Sequence, residues 1–238
     1  MNHYYGLDVV AYSSTQSNLA VFEELIDLLR ERTPRTRKGW PDYDVHLDGR
    51  LFPSHILTDE RLERALAPDR IRKIRERLTA MPAAPSDEPS IRYNAPWMSA
   101  ATIKKESVDV IISHAVLQSV LDLDATYAAL RTWLKPGGFM SHQIDFTSFR
   151  TSREWNGHWA YPETVWRLVV GKRPYLINRE PHSTHVRLMA KQGLTIVCDL
   201  QNYSVDPALE RSQLASRWRN MSDDDLACSG AFIQAYKA

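Results

Sequence analysis

At 238 residues, with 43% hydrophobic and 25% charged side chains, the chain is long enough for one large domain with a substantial core. Its formal net charge of +1 creates no global field of the kind that draws a protein to nucleic acid or an anionic membrane. No apolar run approaches the roughly 20 residues of a membrane span, there is no signal-peptide pattern, and Cys198 and Cys228 read as small core residues of a reducing compartment, so a soluble cytoplasmic protein is expected.

The first element, Tyr4 to Val10, reads as a buried strand in which Asp8 is the one charged side chain. The stretch SSTQSNLAVFEELIDLLRER follows as a capped helix, with Leu19, Phe22, Leu25, Ile26 and Leu29 on one face and Pro34 as its stop. Residues 34–90 change in texture: a basic stretch that ends the run Arg30, Arg32, Arg35, Arg37 and Lys38, read as a solvated face, then a turn-rich piece, a charged helix carrying Ile71, Ile74 and Leu78, and the linker MPAAPSDEPS. This stretch is expected to be a helical insertion or lid within a single domain spanning 1–238.

From Ser90 onward short apolar runs alternate with helical segments. IRY (91–93) is a brief strand and VDVIIS (108–113) a central one, rich in β-branched residues. A helical stretch broken near Asp122 leads into Lys135-Pro136-Gly137-Gly138, which turns the chain into the next strand, FMSHQID. HSTHVRLMAKQG is a helix ending at Gly193, LTIVCDL a strand, SDDDL a short capped segment using Ser222 and Asp225, and AFIQAYK a closing strand. Strands alternating with helices predict an α/β fold with a mostly parallel sheet covered on both faces. The chain has no GxxxxGK[ST] loop, no GxSxG elbow, no CxxC and no GxGxxG.

The block SVDVIISHAVLQSVLDLDATYAALRTWLKPGGFMSHQID resembles the second half of a class I S-adenosylmethionine-dependent methyltransferase of the type 11 kind, in which a strand ending near a serine leads through a VLEHV-like helix to LKPGG. YYGLD is similar to that family's second strand, IRYNAPWMSAATI to its third strand and adenine loop, and SDDDLACSGAFIQAYKA to its closing helix and strand. The resemblance implies a Rossmann-like sheet, mostly parallel with an antiparallel last strand, and S-adenosylmethionine as cofactor. The family's first strand and its glycine-rich loop would precede YYGLD, where only three residues stand, so that strand is expected to be missing. Its place would then be closed up, filled by another segment, or supplied by a partner chain or a second copy in a homo-oligomer.

Carried over residue by residue, the resemblance makes Asp8 the acceptor of the ribose hydroxyls. Trp97 and Met98 become the adenine contacts, Met98 standing where the family often has an Asp. Ser113, His114 and Ala115 fall beside the methionine part of the cofactor. His142 and Asp145, with His114, are the candidate catalytic residues, a histidine at that edge being able to take the proton of an attacking hydroxyl. His182 and His185 share a helix face, but no neighbouring carboxylate or cysteine completes a metal set, and no metal is expected. The aromatic and basic segment 146–181, with Trp155, Trp159, Tyr161, Trp166, Arg173 and Arg179, would cap the acceptor side. The inherited reaction is methyl transfer to oxygen of a small-molecule or glycan acceptor. The alternatives are a catalytically inactive partner or scaffold subunit, or half of a split enzyme completed in trans.

Overall fold

The computed structural model describes residues 3–34, 49–81, 90–97, 99–173 and 175–238. The predicted linker at 82–89, the basic residues Arg35, Arg37 and Lys38, and the candidate adenine contact Met98 lie outside them. The chain divides into two compact units, Met1–Trp97 and Met98–Ala238.

In the first unit, β1 (His3–Leu7) and β2 (Ser90–Asn94) pair in parallel, His3 opposite Ser90 through Leu7 opposite Asn94. β1 is shorter than its apolar run, because the backbone leaves the ladder at Asp8. The crossover between the strands contains α1 (Thr15–Arg30), α2 (Asp59–Ala65) and α3 (Pro68–Thr79). Helix α1 starts where Ser14 and Ser17 cap one another reciprocally, satisfying two of the four orphan amides of a helix start. Pro68 opens α3 at the position where its missing N–H costs nothing. Helix α3 packs on α1 and β2, and Arg75 reaches Glu23 of α1 with two hydrogen bonds of 2.7 and 2.9 Å. Ile26 and Ile71 are the buried residues of these two helices.

The second unit holds β3 (Val108–His114), β4 (Leu134–Asp145), β5 (Leu194–Tyr203) and β6 (Cys228–Lys237) in the order β3-β4-β6-β5. β3 and β4 are parallel, while β6 runs antiparallel to both β4 and β5. Strands β3, β4 and β5 therefore point one way and only the last strand is reversed. This is the Rossmann-like methyltransferase sheet that the sequence predicts. The run VDVIIS, read as central, lies at one end of the four-stranded order, and Val110 and Ile112 are exposed. An unbroken apolar run reports that a strand is built for burial, and carries no information on how many neighbours it has. Among the described residues no strand joins the two sheets.

The Lys135–Gly138 turn is a bulge in the β3–β4 pairing, where the register passes from Val108–Leu134 to Val110–Phe139. Gly137 there has φ of +72°, and a Cβ on Gly138 would stand 2.8 Å from the Lys135 carbonyl oxygen.

Helix α4 (Leu123–Trp133) is capped by Asp122, whose carboxylate accepts from the Ala125 amide at 2.9 Å. Helix α5 (Glu163–Val170) lies in the cap segment, and α6 (His182–Lys191) packs on α4, β5 and β6. Pro181 leaves the start of α6 without a local cap. Asp225 of α7 (Asp223–Ala227) supplies one instead, accepting from the Ser183 amide at 3.0 Å and the Ser183 hydroxyl at 2.6 Å. The core beneath the sheet is formed by Tyr127, Met140, Ile144, Met189, Ile233 and Ala235. A second cluster joins Trp155 and Trp159 of the cap segment to Leu214 and Trp218, which follow β5. No helix among the described residues is long and apolar enough to cross a membrane.

Gly157 belongs to that cap. A Cβ there would drive into the Ser152 side chain, so Gly157→Ala is expected to cost about 1–3 kcal/mol, measured by urea unfolding.

Candidate active site

In the first unit the chain leaves β1 at Asp8, at the carboxyl end of a parallel strand, where open α/β sheets bind ligands. One Asp8 carboxylate oxygen accepts from the Val9 amide at 2.7 Å, and the other is approached by the Tyr93 hydroxyl at 3.3 Å. Each oxygen keeps accepting capacity for hydroxyl donors. The Trp97 amide donates to the Asp8 carbonyl oxygen at 3.1 Å, so two of the candidate cofactor residues adjoin.

In the second unit Ser113, His114 and Ala115 end β3, beside the β4 residues His142 and Gln143. The ladder extends one step further, since the Ala115 amide donates to the Gln143 carbonyl at 2.9 Å, and Ala115 itself has φ of +53°. A left-handed conformation at a residue with a Cβ carries strain, and such strain gathers at sites that need a fixed backbone shape. His114 is exposed. Asp145 ends β4 half-buried, its carboxylate accepting from the Thr147 amide at 2.8 Å.

His142 lies on the other face of β4. It is fully buried, and its Nδ1 stands 2.7 Å from the Ser113 hydroxyl. Its ring meets Tyr127 edge-on, centroids 6.4 Å apart, and burial pushes its pKa down to about 4. His142 is therefore neutral at physiological pH, with Ser113 between it and the end of β3. His185 belongs to the same buried group: its Nδ1 is 2.9 Å from the Tyr127 hydroxyl, and its pKa falls to about 3, through burial first and the neighbouring histidines second. His182 pairs with Asp199 at 2.9 Å. The two histidines of the helix thus point to separate partners.

Sequence reasoning missed a small polar chamber beside Asp145. It has a volume of about 10 Å3, close to the minimum one water requires. Gln118, His158 and Arg179 line it with Asp145, and Gln118 Oε1, His158 Nδ1 and Arg179 Nε are all buried without a hydrogen-bond partner. In the sequence Gln118 is only one residue of VLQSV (116–120), and His158 carries no motif at all. Nothing short of the folded chain brings residues 118, 145, 158 and 179 together.

Residues 66–141, about a third of the chain, match the family model described as a methyltransferase domain. The match opens at Leu66, between α2 and α3, and runs through Ser113, His114 and Ala115 into β4. Among solved structures, the chain is similar to a S-adenosylmethionine-dependent methyltransferase from Methanosarcina mazei, at 15% identity over 68% of this chain and 76% of that one, with a TM-score of 0.42. It is similar to one from Mesorhizobium loti at 14% identity, covering 67% and 74%, TM-score 0.39. It is also similar to one described as a S-adenosylmethionine dependent methyltransferase from Listeria monocytogenes at 13% identity, covering 71% and 76%, TM-score 0.38. No curated protein matches the sequence. Over residues 66–141 the chain is similar to methyltransferase domains, and its strand order is that of a Rossmann-like fold with a reversed last strand.

Proposed function

We propose that the chain transfers a methyl group from S-adenosylmethionine to oxygen of a small-molecule or glycan acceptor, at the carboxyl ends of its parallel strands. The observation that carries this reading is the position of its polar residues. Asp8 and Trp97 adjoin at the carboxyl end of β1, and Ser113, His114, Ala115 and Asp145 gather at the carboxyl ends of β3 and β4. The donor set fits the cofactor: a carboxylate with spare lone pairs suits a ribose diol, and an indole suits a purine face. When bound, the cofactor supplies an electrophilic sulfonium methyl.

The chain's own residues would bind, orient and move a proton. Asp8 would accept from the two ribose hydroxyls, while Trp97 would pack the adenine. The backbone of Ser113 to Ala115 would lie along the methionine portion. Asp145 or the exposed His114 would take the acceptor's hydroxyl proton, and His142, neutral and sealed from solvent, would hold Ser113 in register as a positioning residue. Positioning would supply most of the acceleration.

A second reading is favoured by one observation, that no strand among the described residues joins the two sheets. On that reading the chain is an inactive partner subunit, or is completed by a strand from another chain. Isothermal titration calorimetry of S-adenosylmethionine into the purified chain separates the two. The enzyme reading expects binding that Asp8→Ala weakens by about 10–100-fold, the loss of a charge-assisted contact to two hydroxyls. Absence of heat would leave the partner reading standing, and an Asp8→Ala variant that binds as tightly as the parent would remove Asp8 from the cofactor site.

A further inference from the structure

Beside α5 lies an open cleft of about 520 Å3, far larger than the polar chamber and sharing with it the wall Ile177–Glu180. Its floor is apolar, formed by Trp166, Val170, Leu176 and Ile177. Four arginines line it, at 167, 173, 179 and 217, against two glutamates, at 163 and 180.

The distribution of these charges is uneven. Arg179 is 4% exposed and its guanidinium lies 4.5 Å over the Trp166 ring. It donates to the Tyr161 carbonyl at 2.9 Å and to Glu163 at 2.6 Å, leaving Nε buried and without a partner. Arg217 holds Glu180 at 2.5 Å. Both carboxylates are thereby engaged, Glu163 by the buried Arg179 and Glu180 by the exposed Arg217. Arg167 has only a 3.9 Å approach to the already engaged Glu163 and is 75% exposed. Arg173 donates to the backbone carbonyls of Val169 and Val170, which carry no formal charge. Two guanidinium groups in the lining, those of Arg167 and Arg173, are left with no carboxylate of their own among the described residues.

We propose that this cleft binds a small molecule with an apolar body and a single anionic head, a carboxylate or a phosphate. The body lies over Trp166 and Val170, and the head meets Arg167 and Arg173, whose planar donors match both kinds of oxyanion. Taking this molecule to be the methyl acceptor rests on the function proposed above, through the wall shared with the Asp145 chamber; the binding itself does not depend on it.

The test is calorimetry on the full chain without S-adenosylmethionine, using phenylbutyrate, phenyl phosphate and the neutral phenylbutanol as probes. At least one anionic probe is expected to bind about 10-fold more tightly than the alcohol, which is about 1.4 kcal/mol. The better of the two identifies the head group. The double variant Arg167→Gln/Arg173→Gln, at two exposed positions, is expected to remove that advantage while leaving alcohol binding unchanged. The proposal fails if the alcohol binds as well as both anions, if the double variant leaves anion binding intact, or if no probe binds up to roughly 10 mM, about 2.7 kcal/mol of affinity. Because no cofactor is present, these outcomes are separate from the S-adenosylmethionine titration: either can fail while the other succeeds.

Discussion

Trp159→Ala is expected to destabilise the protein by about 3–5 kcal/mol, the range for emptying a large aromatic site. Trp159 is fully buried, meets Trp155 edge-on at 5.9 Å and lies tilted against Trp218 at 6.3 Å. Its indole N–H donates to the Arg179 carbonyl at 2.9 Å, so truncation also strands a buried acceptor. The same tryptophan's carbonyl receives the Ala215 amide at 3.0 Å, which ties the 209–221 segment to the cap. Truncation empties space shared by several aromatic rings, and neighbouring rings too rigid to collapse leave most of the cavity open. Urea unfolding followed by tryptophan fluorescence would measure it. A loss below about 1 kcal/mol would mean that the cap repacks freely and contributes little to stability.

The second large effect is a stability slope in mild acid. His142 has its pKa lowered to about 4, and His158 and His185 to about 3, chiefly by burial. Each is neutral in the folded state and takes a proton near pH 6.5 once unfolded, so between 6.5 and the folded value the unfolded chain holds more protons. Stability from these groups is therefore complete above pH 6.5 and is lost as pH falls toward 4. The loss is about 2 kcal/mol for each histidine by pH 5, a large share of the 5–15 kcal/mol typical of a folded domain. Urea midpoints measured between pH 6.5 and 5, above the carboxylate range, should fall steadily, and His185→Gln should flatten the fall by roughly a third of the three-histidine total. A flat profile for the parent protein would show that these rings are protonated, or exposed, in the folded state.

Local signals carried much of the fold. Ser14, Asp122 and Ser222 cap the helices they precede, and Gly193, with φ of +67°, ends α6 where the pattern put it. Each of these depends on residues within a turn or two, which is the range over which a sequence can be read directly. The site was legible to the same depth. The sequence located Ser113, His142 and Asp145 at strand ends, but gave no sign that His142 faces the buried side. That depends on Ser113, 29 residues away, and on the Tyr127 ring. Likewise Arg179 stood out as one of several basic residues in an aromatic stretch. Its burial between Trp166 and Trp218 follows from a contact across the cap that no spacing encodes.

The position of β6 has a consequence for the order of assembly. The last strand among the described residues, Cys228–Lys237, lies between β4 and β5, both of which precede it in the chain. Until it arrives, β4 has only β3 beside it, and β5 has no neighbour in the sheet. A chain emerging from the ribosome thus carries an open edge on β4 from the completion of that strand until β6 is made. It closes that edge in one late step, when β6 inserts and its Lys237 ammonium docks on the Leu134 carbonyl and Glu106. Closure of this kind is non-local, and until it occurs the open edges of β4 and β5 are available for edge-to-edge association.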